Sequence, residues 1–148
     1  MKKKLYQELF SEIKALIKDV DTPISNYANV AAAIYNTLPD INWAGFYFSK
    51  NNNLILGPFQ GKPACVKIPF GRGVCGTAIN NSSTLIVDDV HVFPGHIACD
   101  PSSRSEIVIP MIKDKVKIGV LDIDSPKKDR FDKIDQEFFQ KIVALLIN

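Results

Sequence analysis

The sequence has no long apolar run, little net charge and few cysteines and histidines. No apolar stretch approaches the about 20 residues that a transmembrane helix needs. A signal peptide would need an uninterrupted apolar run after the first lysines, but Gln7, Glu8, Glu12 and Lys14 interrupt it. The net charge of +2 is too small to indicate nucleic-acid binding. We therefore expect a cytoplasmic protein without nucleic-acid or membrane partners.

Recognisable metal and nucleotide motifs are also missing. The three cysteines, Cys65, Cys75 and Cys99, are an odd number, and thiols stay reduced in the cytosol, so they do not indicate a structural disulfide framework. Their spacing relative to His91 and His96 is not that of a structural zinc site, and no metal is expected. The glycine-rich segment 71–78 lacks the lysine and hydroxyl ending of a phosphate-binding loop. Close packing of a short helix on a sheet is the favoured interpretation of this segment.

Length and hydrophobic periodicity predict one domain over residues 1–148, with an N-terminal helix over 1–20 and a core over 21–148. Pro23 suits the first turn of a second helix, for which Asp21 or Thr22 provides the cap. Asp132 is the predicted cap of a last helix. Strands are predicted over residues 41–49, 54–59, 64–69, 84–87, 106–112 and 117–122.

Short connections between these strands favour an antiparallel sheet of about six strands. Helices at the two ends of the sequence most simply cover one face of it. The fold class is therefore α+β, with the other face left to the short helix and to the long loop at residues 88–110. A ligand pocket is predicted between this loop and the sheet.

The long loop carries the best candidate nucleophile. Cys99 lies three residues after His96 and five before Arg104, and nearby positive charge would increase its thiolate fraction. On the residues alone, other chemistry stays open. His91, His96 and Cys99 could bind zinc, or a histidine could act as the base of a cysteine hydrolase.

Carboxylates and aromatic residues flank the same loop. Glu106, Asp122 and Asp124 lie near the ends of two predicted strands, and together with Asp88 they indicate a receptor for a cationic group such as an amine. Trp43 and Tyr47 share one face of the first strand, because side chains alternate with a period of two. These rings could enclose a small apolar or sulfur-bearing group.

These motifs together resemble those of the free methionine-(R)-sulfoxide reductases, stand-alone enzymes with the GAF fold. The resemblance covers nearly the whole chain from the second helix onward. It rests on residues 42–47 (NWAGFY), 56–65 (LGPFQGKPAC), 71–76 (GRGVCG), 88–91 (DDVH), 94–100 (PGHIACD) and 103–108 (SRSEIV).

The resemblance implies a role for each candidate residue. Cys99 would be the catalytic cysteine, Cys65 the resolving cysteine and Cys75 an auxiliary thiol. Trp43 and Tyr47 would enclose the methyl sulfoxide, while four carboxylates would hold the substrate amine: Asp88, Glu106, Asp122 and Asp124. Which of Cys65 and Cys75 resolves stays open.

The expected reaction is thiol-dependent reduction of free L-methionine-(R)-S-oxide, with no bound cofactor. The thioredoxin and NADPH system would be the external reductant, and the resemblance suggests a homodimer. The alternative function is that of a GAF sensor domain, which binds a small molecule without turnover.

Overall fold

The computed structural model of the chain describes residues 1–95 and 100–148. The helices are α1 (Lys2–Ile17), α2 (Pro23–Thr37), α3 (Gly73–Asn81) and α4 (Lys133–Ile147), with a short 3-10 helix at Val90–Val92. The strands are β1 (Trp43–Lys50), β2 (Asn53–Gly61), β3 (Lys67–Pro69), β4 (Leu85–Val87), β5 (Ser105–Lys113) and β6 (Val116–Ser125). Within the described ranges, no helix has both the length and the apolar character of a membrane span.

The strands form a six-stranded sheet in the order β3-β2-β1-β6-β5-β4. Each neighbouring pair is antiparallel. Hairpins connect β1 to β2 and β5 to β6, and the pairing of β1 with β6 joins the two halves of the sheet. The predicted α+β architecture with an antiparallel central sheet is confirmed.

The two faces of the sheet carry separate hydrophobic clusters. In β1, the side chains of Ala44 and Phe46 enter a cluster with residues of α1, α2 and α4. Trp43 and Tyr47 enter a second cluster with Cys75 and other residues of α3. The alternation predicted from the sequence is confirmed, and the terminal helices cover the face opposite to α3.

Three local predictions need correction. The third strand is shorter than residues 64–69, so Cys65 lies in the connection before β3. The last strand extends to Ser125 and contains both Asp122 and Asp124, because its pairing with β5 continues to Ser105.

Thr22 is the N-cap of α2, but its side chain makes no capping hydrogen bond. Its backbone carbonyl accepts instead from the backbone N–H of Ser25 at 3.1 Å.

A buried carboxylate connects α1 to α4. Asp135 is fully buried in the first turn of α4 and accepts hydrogen bonds from the hydroxyl of Tyr6 and from Lys2 Nζ, the latter at 2.7 Å. Arg130 Nη1 donates to the same carboxylate at 3.1 Å. Burial and the neighbouring Asp135 carboxylate raise the pKa of Tyr6. A buried carboxylate with these partners is satisfied, and it fixes the first turn of α1 against the domain.

The central pair of strands approaches closely at Gly119. This residue lies opposite Phe48, and a Cβ placed on it would lie 2.0 Å from the carbonyl oxygen of Tyr47. Any larger residue would force β6 away from β1, so glycine is required here for backbone approach.

Candidate active site

Sheet register brings three carboxylates to the face covered by α3. Glu106 in β5 lies directly opposite Asp124 in β6. Asp122 lies two residues earlier on β6 and therefore projects from the same face. Asp124 in turn lies opposite Trp43 of β1. The three carboxylates and the Trp43 indole line one cavity.

Burial makes this group of carboxylates reluctant to ionise. The side chains of Glu106 and Asp122 are 7% and 5% exposed. Burial, followed by the charges of Asp122 and Asp124, raises the pKa of Glu106 well above its usual value. Burial also raises the pKa of Asp122 and, with the charge of Asp122, that of Asp124. Such a cluster keeps protons at pH values where ordinary carboxyl groups have lost them. A cation bound beside it would offset the repulsion between the carboxylates and favour their ionised form.

Two stacked aromatic rings form the wall beside the carboxylates. The ring centroids of Trp43 and Tyr47 lie 5.9 Å apart. Trp43 Nε1 donates to the backbone carbonyl of Lys62 at 3.1 Å, and the Tyr47 hydroxyl donates to that of Cys65 at 3.0 Å. Both aromatic residues thus line the cavity, while their polar atoms hold the segment that carries Cys65.

The cysteines differ in state. Cys75 is a buried free thiol at the start of α3, where its Sγ donates to Glu106 Oε2 at 3.7 Å. Burial, followed by the charges of Asp122 and Glu106, raises the pKa of this thiol well above its usual value. Cys65 is half-buried, and its sulfur is disulfide-bonded. Cys99 and His96 lie outside the described residues.

The start of the segment after residue 99 is anchored by Asn42. Its Nδ2 lies within hydrogen-bond distance of Asp100 Oδ2 (3.2 Å), Ser102 Oγ (3.2 Å) and Ser103 Oγ (3.1 Å). Asp100 and Ser103 line the cavity. The sequence predicts no site role for Asn42, Ser102 and Ser103, since no local pattern connects residues about 60 positions apart. Asn42 and Ser103 belong to the motifs at residues 42–47 and 103–108, which was the available signal.

Two candidates are not part of this cavity. Asp88 is exposed just after β4, where its backbone carbonyl accepts a hydrogen bond from the backbone N–H of Asp129 at 3.0 Å. The sheet pairing ends at Val87, so the chain has already left the sheet when it reaches Asp88. His91 is exposed in the 3-10 helix, and its backbone N–H donates to Asp89 Oδ1 at 3.1 Å. The structure therefore does not bring either side chain to the carboxylates.

Apolar rings and carboxyl groups line the same cavity. The Trp43 and Tyr47 rings offer contact to an uncharged group, while the carboxylates offer several acceptors to a cation. A small zwitterion with an ammonium group and an apolar side chain fits this division of chemistry.

Comparison with known proteins assigns the family. Residues 26–146 match the model of the GAF domain family. The free methionine-R-sulfoxide reductase of Escherichia coli is 48% identical over 145 residues, which cover 98% of this chain and 88% of that protein. The enzyme of the same name from Saccharomyces cerevisiae is 44% identical, covering 98% of this chain and 85% of that protein.

Solved structures agree with this assignment. The free methionine-R-sulfoxide reductase of Neisseria meningitidis, solved in complex with its substrate, aligns with a TM-score of 0.95 at 41% identity. The alignment covers 99% of this chain and 88% of that one. On its motifs, its fold and these relatives, the chain belongs to the free methionine-(R)-sulfoxide reductase family of GAF-domain proteins.

Proposed function

We propose that this protein reduces free L-methionine-(R)-S-oxide to L-methionine in the cytoplasm, with thioredoxin as the recycling reductant. The observation that carries the proposal is the pairing of an aromatic wall with a buried carboxylate cluster in one cavity. Trp43 and Tyr47 contact the methyl sulfoxide end, and Glu106, Asp122 and Asp124 hold the ammonium group. Asp88, which lies outside the cavity, has no place in this arrangement.

Cys99 is the catalytic thiol of the proposed reaction. Its thiolate attacks the sulfoxide sulfur, the oxygen passes to Cys99, and methionine leaves, so that one thiol and one sulfoxide give one sulfenic acid and one thioether. A carboxyl group that stays protonated supplies the proton that the sulfoxide oxygen needs. The raised pKa of Glu106, caused first by burial, supports this residue in that role.

Cys65 is the resolving thiol. It condenses with the sulfenic acid of Cys99 to give a disulfide and water. A dithiol such as reduced thioredoxin then reduces this disulfide by thiol–disulfide exchange and is itself oxidised. The disulfide-bonded state of Cys65 supports this assignment. Burial raises the pKa of Cys75 and keeps it a thiol, which argues against Cys75 as the first resolving group.

The activity is tested by NADPH oxidation through thioredoxin reductase and thioredoxin, with the R and S forms of free methionine sulfoxide. We expect turnover of the R form alone. Absence of turnover with the R form, while a known thioredoxin substrate is reduced in the same mixture, would support the alternative of a GAF domain that only binds.

Single-turnover measurements separate the cysteines. Cys99→Ser should abolish formation of the first methionine, whereas Cys65→Ser should release one equivalent per chain and then stop. The opposite pattern would exchange the two roles. A homodimer is also part of the proposal, and light scattering of the purified protein checks it.

The carboxylate cluster makes a prediction about the substrate amine. N-acetyl-L-methionine-(R)-S-oxide keeps the sulfoxide but replaces the ammonium group by an uncharged amide. The loss of a charged hydrogen bond worth about 1.5 to 3 kcal/mol should lower kcat/KM about 10- to 150-fold. Equal kcat/KM values for the acetylated and free compounds would contradict ammonium binding by these residues.

A further inference from the structure

Three buried side chains from three different elements bring possible metal ligands together. Cys75 comes from α3, Glu106 from β5 and Asp122 from β6. One ligand atom from each of the three lies within 4.8 Å of the other two. All three residues are more than nine-tenths buried. A thiol and two carboxylates in this arrangement form a compact set of donors on rigid elements, which is a requirement for a defined metal site.

The spacing of the donors fits a tetrahedral zinc-type ion. Ordinary zinc–sulfur and zinc–oxygen bonds at a tetrahedral angle place the sulfur and the oxygen about 3.6 Å apart. Cys75 Sγ and Glu106 Oε2 lie 3.7 Å apart. This edge of the coordination polyhedron is therefore already formed by the protein, and the ion would replace the thiol proton between the two atoms.

An unpartnered atom of Asp122 points independently to a cation. Asp122 Oδ1 is buried and accepts no hydrogen bond from an N–H or hydroxyl group of the described residues, while the Asp122 carboxyl group contacts the Cys75 thiol and the carboxyl groups of Glu106 and Asp124. The Asp122 side chain lines the cavity and is 5% exposed. A buried carboxylate oxygen without a partner is costly, and a bound cation would remove that cost.

We propose that the reduced protein binds one zinc-class divalent ion through Cys75, Glu106 and Asp122, and that this ion excludes the substrate from the cavity. The thiolate favours zinc, cobalt or cadmium over magnesium and calcium, which prefer oxygen ligands alone. The exclusion step rests on the proposed function, since ion and ammonium group would share Glu106 and Asp122. The ion-binding step does not depend on catalysis.

Cobalt titration tests the ion-binding step. Co²⁺ is added to the reduced full-length protein without substrate or thioredoxin, and the thiolate-to-cobalt charge-transfer band is followed in the near ultraviolet. We expect one equivalent per chain, with complete displacement by Zn²⁺. Cys75→Ser should abolish the band, while Cys65→Ser, which removes a cysteine outside the cluster, should retain it.

Two carboxylate substitutions, one inside the proposed metal site and one outside it, test the assignment of the ligands. Asp122→Asn should weaken Co²⁺ binding at least tenfold, whereas the exposed Glu8→Gln on α1 should leave binding unchanged. Circular dichroism verifies that each variant is folded. A band that persists in Cys75→Ser, is lost in Cys65→Ser, or is absent from the wild type would overturn the proposal.

Steady-state kinetics test the exclusion step separately. Zn²⁺ should raise KM for free methionine sulfoxide and leave kcat unchanged. A fall in kcat at constant KM would mean that the ion acts on other groups, which contradicts exclusion. If the protein has no reductase activity but shows the cobalt band, the metal site stands and the proposed function fails.

Discussion

Replacing Glu106 by Gln should stabilise the folded protein at high pH and not at low pH. In the folded state the pKa of Glu106 is raised, first by burial and then by Asp122 and Asp124. The folded state therefore keeps a proton that the unfolded chain has released. This contribution to stability is complete below the unfolded pKa of about 4.3 and is lost as the pH rises through the folded pKa. Glu106→Gln, which has no proton to lose, avoids this loss.

The magnitude follows from the spacing of the charges. One carboxylate oxygen of Glu106 and one of Asp122 lie within 4.8 Å of each other. At an effective dielectric constant of about 20, two full charges at that distance repel each other by about 3.5 kcal/mol. Proton sharing lowers the realised value, so we expect Glu106→Gln to gain about 1 to 3 kcal/mol at pH 8. At pH 4 the two proteins should agree within about 0.5 kcal/mol, because neutral Glu and Gln are similar in size and polarity.

The assay is urea unfolding of both reduced proteins between pH 4 and pH 8, followed by circular dichroism. Glu8→Gln is the matched control, since Glu8 is exposed on α1. Its difference from the wild type should be near zero across the range. A difference between Glu106→Gln and the wild type that does not change with pH, or a less stable variant at pH 8, would show that ionisation of Glu106 does not destabilise the folded state. The gain in stability should accompany a loss of reductase activity, because the proposed proton donor is gone.

Three further predictions concern hydrogen bonds outside the carboxylate cluster. Asn42→Ala removes the donor shared by Asp100, Ser102 and Ser103. It should lower the free energy of unfolding by about 1 to 2 kcal/mol and reduce kcat/KM. Urea unfolding measures the first effect and NADPH oxidation the second. Asn36→Ala, at an exposed position of α2, is the control and should change neither quantity. Tyr47→Phe keeps the ring but removes the donor to the Cys65 carbonyl, so stability should fall by about 1 kcal/mol in the same unfolding assay. Asp132→Ala removes the acceptor for the backbone N–H groups of Ile134 and Asp135 at the start of α4. Thermal unfolding should then register a loss of about 1 to 2 kcal/mol, and no loss would mean that the cap contributes little.

Periodicity was sufficient to predict the faces of the sheet. Trp43 and Tyr47, or Asp122 and Asp124, share a face because strand side chains alternate, and this needs no knowledge of the partner strand. The place of Asp88 does not follow from this rule, because pairing ends at Val87 and alternation has no meaning beyond the last paired residue. The end of a strand depends on hydrogen bonds to another segment, which a local pattern does not contain.

Contacts between distant segments were the part that the sequence could not provide. The anchoring of residues 100–103 by Asn42 joins positions about 60 residues apart. The burial of Asp135 is a second case. Its position in the first turn of α4 suggests an exposed capping residue, and only the approach of Tyr6, Lys2 and Arg130 makes it a buried one. Such residues are polar, so hydrophobic patterns do not mark them.

The close approach at Gly119 has a consequence for folding fidelity. Phe48 pairs with Gly119 across strands about 70 positions apart, so this pairing requires a long-range encounter. If β1 paired with β6 one residue out of register, its side chains would exchange faces. Trp43 and Tyr47 would then face the terminal helices and lose their hydrogen bonds to the carbonyls of Lys62 and Cys65. A misregistered molecule could keep six strands and still leave the Cys65 segment unattached, so reductase activity would report errors of strand pairing that secondary-structure content does not.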